Sequence, residues 1–257
     1  MGPGREPLPT RVEDTPPLEP AYERALDEGL ASLGIRVDAP ARIAIDGHVR
    51  LLLAWNSAIN LTAIRDPDRV AVGHVLDALS ALPLLRRNGI ERFVDLGSGG
   101  GYPGLPLAAA LPAHHALLVD SVGKKVRFLA AAIAATGLGG TVEAYSGRAE
   151  SLAAEAAQRG AWPAVTARAV APLAELVELS FPLLEPGGIL VAWKRGALEE
   201  EFDAAGRAMA GLGGGTLELA DAGTPLLAGH RLVVARSVGS IPARFPRDPA
   251  QRRRAPW

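Results

Sequence analysis

The chain has 257 residues, 48% of them hydrophobic and 21% charged, with a formal net charge of −1. That balance supplies a substantial core and excludes both a mostly disordered polyampholyte and a chain that wraps polyanions by bulk charge. Cysteine is absent, which removes disulfides, thiolate metal sites and cysteine nucleophiles together. No metal site is expected. No apolar run approaches the ~20 residues of a membrane span. The N-terminal MGPGREPLPTRVEDTPPLEP lacks the basic-then-apolar order of a signal peptide. The expected location is cytoplasmic, with no membrane partner.

In chain order, residues 1–20 hold six prolines without periodicity and read as a flexible leader. Residues 21–33 place Leu26, Leu30 and Leu33 on one helical stripe that Gly34 ends, and residues 40–59 place Leu51, Leu52, Trp55 and Ile59 on a second. Asp66 and Pro67 open a third helix, running to about residue 82, with Asp66 as its cap. Residues 21–90 thus form an N-terminal helical extension. Strand-like runs at 92–96, 116–120, 141–145, 164–167 and 189–193 then alternate with helices near 104–111, 123–136, 151–159, 172–184 and 197–212. Alternation of this kind predicts a parallel sheet covered on both faces. Two last strands, near 216–220 and 231–237, have turn residues and no helix between them, and so form an antiparallel hairpin. The expected fold is α/β, a Rossmann-like sheet over 91–240, mostly parallel with an antiparallel C-terminal hairpin. Residues 241–257 remain as a basic tail. From 236 onward six arginines face one aspartate, a candidate contact for a polyanion or a solvated tail.

Between the first strand and its helix lies FVDLGSGGGYPGLPLA, with five glycines among eight residues from Gly97 to Gly104. Glycine so dense packs nothing and costs chain entropy. At this position it lets a ligand approach the backbone and the N-terminus of the following helix. Gly99, Gly101 and Gly104 also fit the dinucleotide fingerprint, so the loop alone leaves NAD and S-adenosylmethionine open. Asp120, ending the second strand, would take ribose hydroxyls in either case. The closing hairpin and Asp95 favour the sulfonium compound. A dinucleotide fold usually continues with parallel units, and the aminoacyl ammonium of S-adenosylmethionine needs an acceptor.

Six ordered blocks carry a more specific likeness: WNSAINLTAIRDPDRVAVGHVLDALSALPLL, VDLGSGGGYPGLPLA, LLVDSVGKKVRFL, GRAE, TARAVAPL and LLEPGGILVAWKRG. Across about residues 40–240 the chain resembles the ribosomal small-subunit methyltransferase G family, RsmG or GidB. The resemblance implies a class I S-adenosylmethionine-dependent fold and methylation of guanine N7 in 16S ribosomal RNA, on the RNA, the small ribosomal subunit or its precursor. It further implies that Gly97, Gly99 and Tyr102 line the methionine end of the cofactor, Asp120 takes the ribose, and Ala149 and Glu150 meet the adenine. Arg168 would face cofactor and substrate. The chain departs from the family pattern at Gly73, where a basic residue is usual, and at Ala78, where serine is usual.

Guanine N7 has an in-plane lone pair and no proton, so its methylation needs alignment and charge stabilisation, not a general base. No catalytic dyad is expected, and Arg168 and Lys194 are candidate positioning groups. The missing cysteine excludes the covalent route to C5-methylpyrimidines. Arg168-Ala169-Val170-Ala171 is not the Asn/Asp-Pro-Pro-aromatic run of exocyclic-amine methylation. Asn60, His74, Lys125 and Lys194 are candidate contacts to the acceptor. His74 and Asp77, three apart on a helix, are expected to pair and anchor it. Three other readings stay open at this point. They are a methyltransferase acting on a small molecule or protein, a nicotinamide-dependent dehydrogenase, and a binding module without turnover.

Overall fold

Strand side chains alternate between two faces. In the computed structural model, which describes residues 7–111 and 115–257, this alternation divides the core in two. Phe93, Ala116, Leu118, Ala164, Ile189 and Val191 join the helices that precede the sheet. Val94, Leu117, Val119, Val165, Leu190 and Ala192 join helices from the second half of the chain.

The extension comprises α1 (Pro20–Leu33), α2 (Ala39–Ile59), α3 (Pro67–Val70), a π-helical stretch (Ala71–Leu76), α4 (Asp77–Leu79) and α5 (Leu82–Arg87). There follow β1 (Arg92–Leu96), α6 (Gly104–Ala110), β2 (His115–Asp120), α7 (Gly123–Ala135), β3 (Val142–Ser146), α8 (Ala149–Ala154) and β4 (Trp162–Arg168). The chain closes with α9 (Leu173–Ser180), β5 (Leu184–Arg195), α10 (Glu199–Gly211), β6 (Gly215–Asp221), β7 (His230–Ser237) and α11 (Pro249–Arg254). The sheet order is β3-β2-β1-β4-β5-β7-β6. All pairs through β4–β5 are parallel, and β7 runs antiparallel to both β5 and β6. The order reverses between β1 and β4, which opens a crevice at their carboxyl ends.

Three elements differ from the sequence expectation. The third helix is not one α-helix: its middle widens into the π stretch, and Asp66 makes no cap hydrogen bond, pairing instead with Arg69 at 3.5 Å on the surface. Residues 7–19, expected to be a flexible leader, lie against α2. Trp55 Nε1 donates to the Pro9 carbonyl at 2.7 Å, and Arg50 donates to the carbonyls of Thr15 and Pro16. Prolines forgo donors, yet their carbonyls still accept. Residues 1–6 of that leader lie outside the described residues.

The third difference is the basic tail, which is docked. Asp248 and Gln251 form a capping box that starts α11. Arg247 donates through its backbone and guanidinium to the buried carboxylate of Glu178, at 2.6–2.9 Å. Arg236 donates to Gly187 and Asn88. Of the arginines expected to meet a polyanion, Arg236, Arg247 and Arg252 are therefore engaged within the protein.

No helix among the described residues is long and apolar enough to cross a membrane. Nor do the described residues hold a group of three or more His, Asp or Glu side chains placed for a metal ion.

At the crevice floor, register pairs Asp95 with Thr166 across β1 and β4. The fully buried Asp95 carboxylate accepts from Thr166 Oγ1 at 2.8 Å and from the Gly104 amide at 3.2 Å. Burial raises its pKa to about 6, against these hydrogen bonds. A carboxyl whose pKa is raised on folding stabilises the fold fully below its unfolded value, ~4, and that contribution is lost as pH rises through 6. Asn at this position keeps an acceptor for Gly104 and offers a donor to Thr166. In urea unfolding, Asp95→Asn should therefore gain roughly 2–3 kcal/mol relative to the parent between pH 4 and pH 7. A parallel pH dependence of the two proteins would show that Asp95 is not held protonated.

Candidate functional site

Three cavities open side by side along the carboxyl ends of β1, β2, β4 and β5. The first, about 340 Å³, is lined by Asp120, Val122, Ala149, Glu150 and Val170 among others. A smaller one, about 190 Å³, lies over the glycine loop against Gly97, Gly99, Tyr102 and Thr62. The third, about 440 Å³, is walled by His74, Asp77, Arg168, Trp193, Lys194 and His230. Gly97 and Lys125 line the first and second, Arg168 and His74 the second and third, and Ala169 lines all three. Ala169 has φ +56, a left-handed conformation that an alanine adopts only when its surroundings enforce it.

The glycine loop is held from both sides. Gly97, Gly99 and Gly101 have positive φ, and a Cβ on Gly101 would meet His48 Nε2 at 2.7 Å. His48, fully buried on α2, donates from Nε2 to the Gly100 carbonyl at 2.7 Å. Its ring lies 4.7 Å from that of Tyr102, and the His74 ring stacks on Tyr102 at 4.8 Å. Arg168 sits over the same ring at 5.3 Å. Burial lowers the pKa of both imidazoles to about 4, helped at His74 by the Arg168 charge, so both are neutral at physiological pH. Burial pushes the Tyr102 hydroxyl well up, and its Oη has no hydrogen-bond partner among the described residues.

Asp120 ends β2 with Oδ2 accepting from the Gly99 amide at 3.0 Å and Oδ1 from the Val122 amide at 2.8 Å. Each oxygen keeps a lone pair. Val122 and Val170, two of the few exposed large apolar side chains, line the same cavity. Asp95 is fully buried and lines none of the three cavities, so its expected role toward an ammonium group is corrected: its carboxylate faces Gly104 and Thr166 inside the protein.

The third cavity is built on Asp77. Its side chain is 4% exposed and accepts from Arg168 Nη1 at 2.9 Å and from His230 Nδ1 at 2.7 Å. Trp193 Nε1 donates to the Asp77 carbonyl at 2.7 Å, and Arg168 also reaches the Gly73 carbonyl at 3.1 Å. The expected His74–Asp77 pair is not made. The wider π turn separates the two side chains. His74 Nε2 bonds instead to Thr62 Oγ1 at 2.6 Å, and Nδ1 accepts from Arg168 Nη2 at 3.2 Å.

The other candidate acceptor contacts separate. Lys194 lies in the third cavity, but its ammonium is spent on Glu201 at 2.6 Å and the Ala171 carbonyl at 3.1 Å. Arg195, beside it, lines that cavity and makes no ion pair among the described residues. Lys125 lies 4.0 Å from Asp120 and lines the first two cavities, not the third. Asn60 lines none of them and ends α2 in a left-handed conformation, φ 51. Asp77, Trp193 and His230 were not singled out by sequence reasoning as cavity residues, nor His48 as a support of the glycine loop. His230 was within reach: the first residue of an antiparallel last strand lies at the carboxyl edge of its parallel neighbours.

Removing Arg168 alone strands the Asp77 carboxylate, which in buried pairs costs about 3–5 kcal/mol. Arg168→Met should lose stability on that scale, and Arg168→Met with Asp77→Asn should recover most of it in urea unfolding. Equal stability of the single and double variants would mean that the pair is not coupled.

Comparison with known proteins agrees with this geometry. The family model described as rRNA small subunit methyltransferase G (GidB) matches residues 43–225. Proteins named ribosomal RNA small subunit methyltransferase G are 39% identical in Dehalococcoides mccartyi strain CBDB1, covering 85% of this chain and 93% of that protein, and 38% identical in Deinococcus radiodurans, covering 90% of each. The Bacillus subtilis protein of that name is 32% identical over 89% of this chain and 95% of its own. Among solved structures, an O-methyltransferase from Bacillus cereus in complex with S-adenosylhomocysteine superposes with a TM-score of 0.53 at 16% identity, covering 84% of this chain and 99% of that one. The O-methyltransferase TomG from Streptomyces achromogenes gives 0.52 at 18% identity, covering 85% and 99%. These two share the fold. With the sequence relatives alongside, the chain belongs to the rRNA small subunit methyltransferase G family.

Proposed function

We propose that this protein transfers the methyl group of S-adenosylmethionine to a guanine N7 of 16S ribosomal RNA, acting in the cytoplasm on the small ribosomal subunit or its precursor. The observation that carries the reading is the meeting of three cavities at Ala169, in a chain whose family relatives are named for methylation of this RNA. The residues present fit the cofactor. Asp120 offers lone pairs for ribose hydroxyls, Val122 and Val170 offer apolar surface for a purine beside Ala149 and Glu150, and Gly97, Gly99 and Lys125 line the small cavity suited to an aminoacyl end. Bound there, S-adenosylmethionine supplies an electrophilic methyl group on a sulfonium.

The third cavity takes the acceptor base. His74 and the paired Arg168 present no unneutralised proton donor that would compete for a purine lone pair. His74 is neutral, and the Arg168 charge is balanced by Asp77. Methylation of N7 leaves the base cationic, and the Asp77 carboxylate and the Trp193 ring line the cavity that takes it. No side chain has to remove a proton. Arg195 supplies a cation for a nearby phosphate, and the base has to be unpaired, because N7 lies in the deep groove of A-form RNA.

Purified small subunits and naked 16S RNA, incubated with methyl-labelled S-adenosylmethionine, should give labelled 7-methylguanine on at least one of the two. Label on another atom, or on neither substrate, would overturn the proposal. Asp120→Asn should weaken S-adenosylhomocysteine binding about tenfold or more. Arg195→Ala should weaken RNA binding and reduce its salt slope by about one.

A further inference from the structure

The C-terminal segment lies beyond the residues matched by the family model, yet it reaches the cofactor cavity. Its docking is specific. The Glu178 carboxylate accepts from Arg247 and from Trp257 Nε1 at 2.6 Å, and the Arg247 guanidinium lies 4.5 Å over the Trp257 ring. Arg207 donates to the Trp257 carbonyl at 3.2 Å. This anchoring directs Arg252 of α11 inward. Its side chain is 9% exposed and lines the 340 Å³ cavity together with Glu150 and Glu175. Arg252 Nε bonds to Glu175 Oε1 at 3.0 Å, Nη2 to Glu150 Oε1, and Nη1 to the Arg247 carbonyl at 2.5 Å.

Two carboxylates at one cavity mouth repel, and left alone each turns to water. A planar guanidinium that bonds to both holds them at fixed positions, which a lysine's point charge does not. Glu150 Oε2 has no partner among the described residues and remains an acceptor at the nucleoside end. We propose that the C-terminal helix is a wall of the cofactor site, with Arg252 a positioning residue that fixes the Glu150 carboxylate as the acceptor for the exocyclic amine of the adenine. The proposal rests on the cofactor reading above. It assigns to this segment a part in purine selection and none in methyl transfer.

The test is calorimetric titration of the full-length protein, Arg252→Met and Arg252→Lys with S-adenosylhomocysteine and with S-inosylhomocysteine, which carries a carbonyl in place of the amine. Arg252→Met should bind S-adenosylhomocysteine about tenfold more weakly and lose most of the parent's preference for it over the inosyl compound, with Arg252→Lys intermediate. In methylation assays the KM for S-adenosylmethionine should rise by the same factor while kcat at saturation stays unchanged. Unchanged affinity, or equal weakening toward both compounds, would overturn the inference while leaving the cofactor reading intact. If the parent bound neither compound, the cofactor reading would fall and this inference with it.

Discussion

A carboxylate removed from water costs several kcal/mol unless charge and hydrogen bonds replace its hydration. In this protein Asp77 sets that demand, and it is met by parts far apart in the chain. Arg168 comes from the end of β4 and His230 from the start of β7, while Trp193 of β5 fastens the Asp77 backbone. The helical extension, the parallel sheet and the closing hairpin therefore share one buried charge. None can leave without exposing or stranding it, so the cavity around Asp77 exists only when all three are docked. The π-helical stretch belongs to the same constraint, because it presents the Gly73 carbonyl to Arg168.

The charges around the crevice are largely arranged in pairs: Arg168 with Asp77, Lys194 with Glu201, Arg252 with two glutamates. A reaction that moves a positive charge from sulfur to a ring nitrogen needs no proton relay. It needs dipoles already in place that do not reorganise as the charge moves. Neutral imidazoles packed against Tyr102 suit that requirement better than cations would, since a protonated His74 would repel both a sulfonium and a methylated base nearby.

The sheet was legible because strands and helices are written in periodicity: each expected strand overlaps an observed one, and the glycine loop marked the crevice. Less legible was what depends on cross-chain pairing. The spacing of His74 and Asp77 suggests a pair only if the helix is regular, and nothing in the pattern of apolar residues announces a π turn. Lys194 reads as a free cation until Glu201, on the next helix, is brought against it. The tail invited a reading by charge alone, although Asp248-Pro249-Ala250-Gln251 carries the spacing of a capping box and so signalled an ordered helix. Asp120, Ala149 and Glu150 do line one cavity. Their assignment came from the likeness of whole sequence blocks, because a glycine-rich turn alone does not choose between two nucleoside cofactors.

Ala169 lines all three cavities, and its left-handed backbone belongs to the wall of each. Glycine would adopt that conformation freely but unlock the backbone there. Anything longer would carry the same backbone penalty with more side chain to place. One small residue in an awkward conformation thus borders all three cavities, so their relative placement depends on a backbone that only the surrounding packing holds in place.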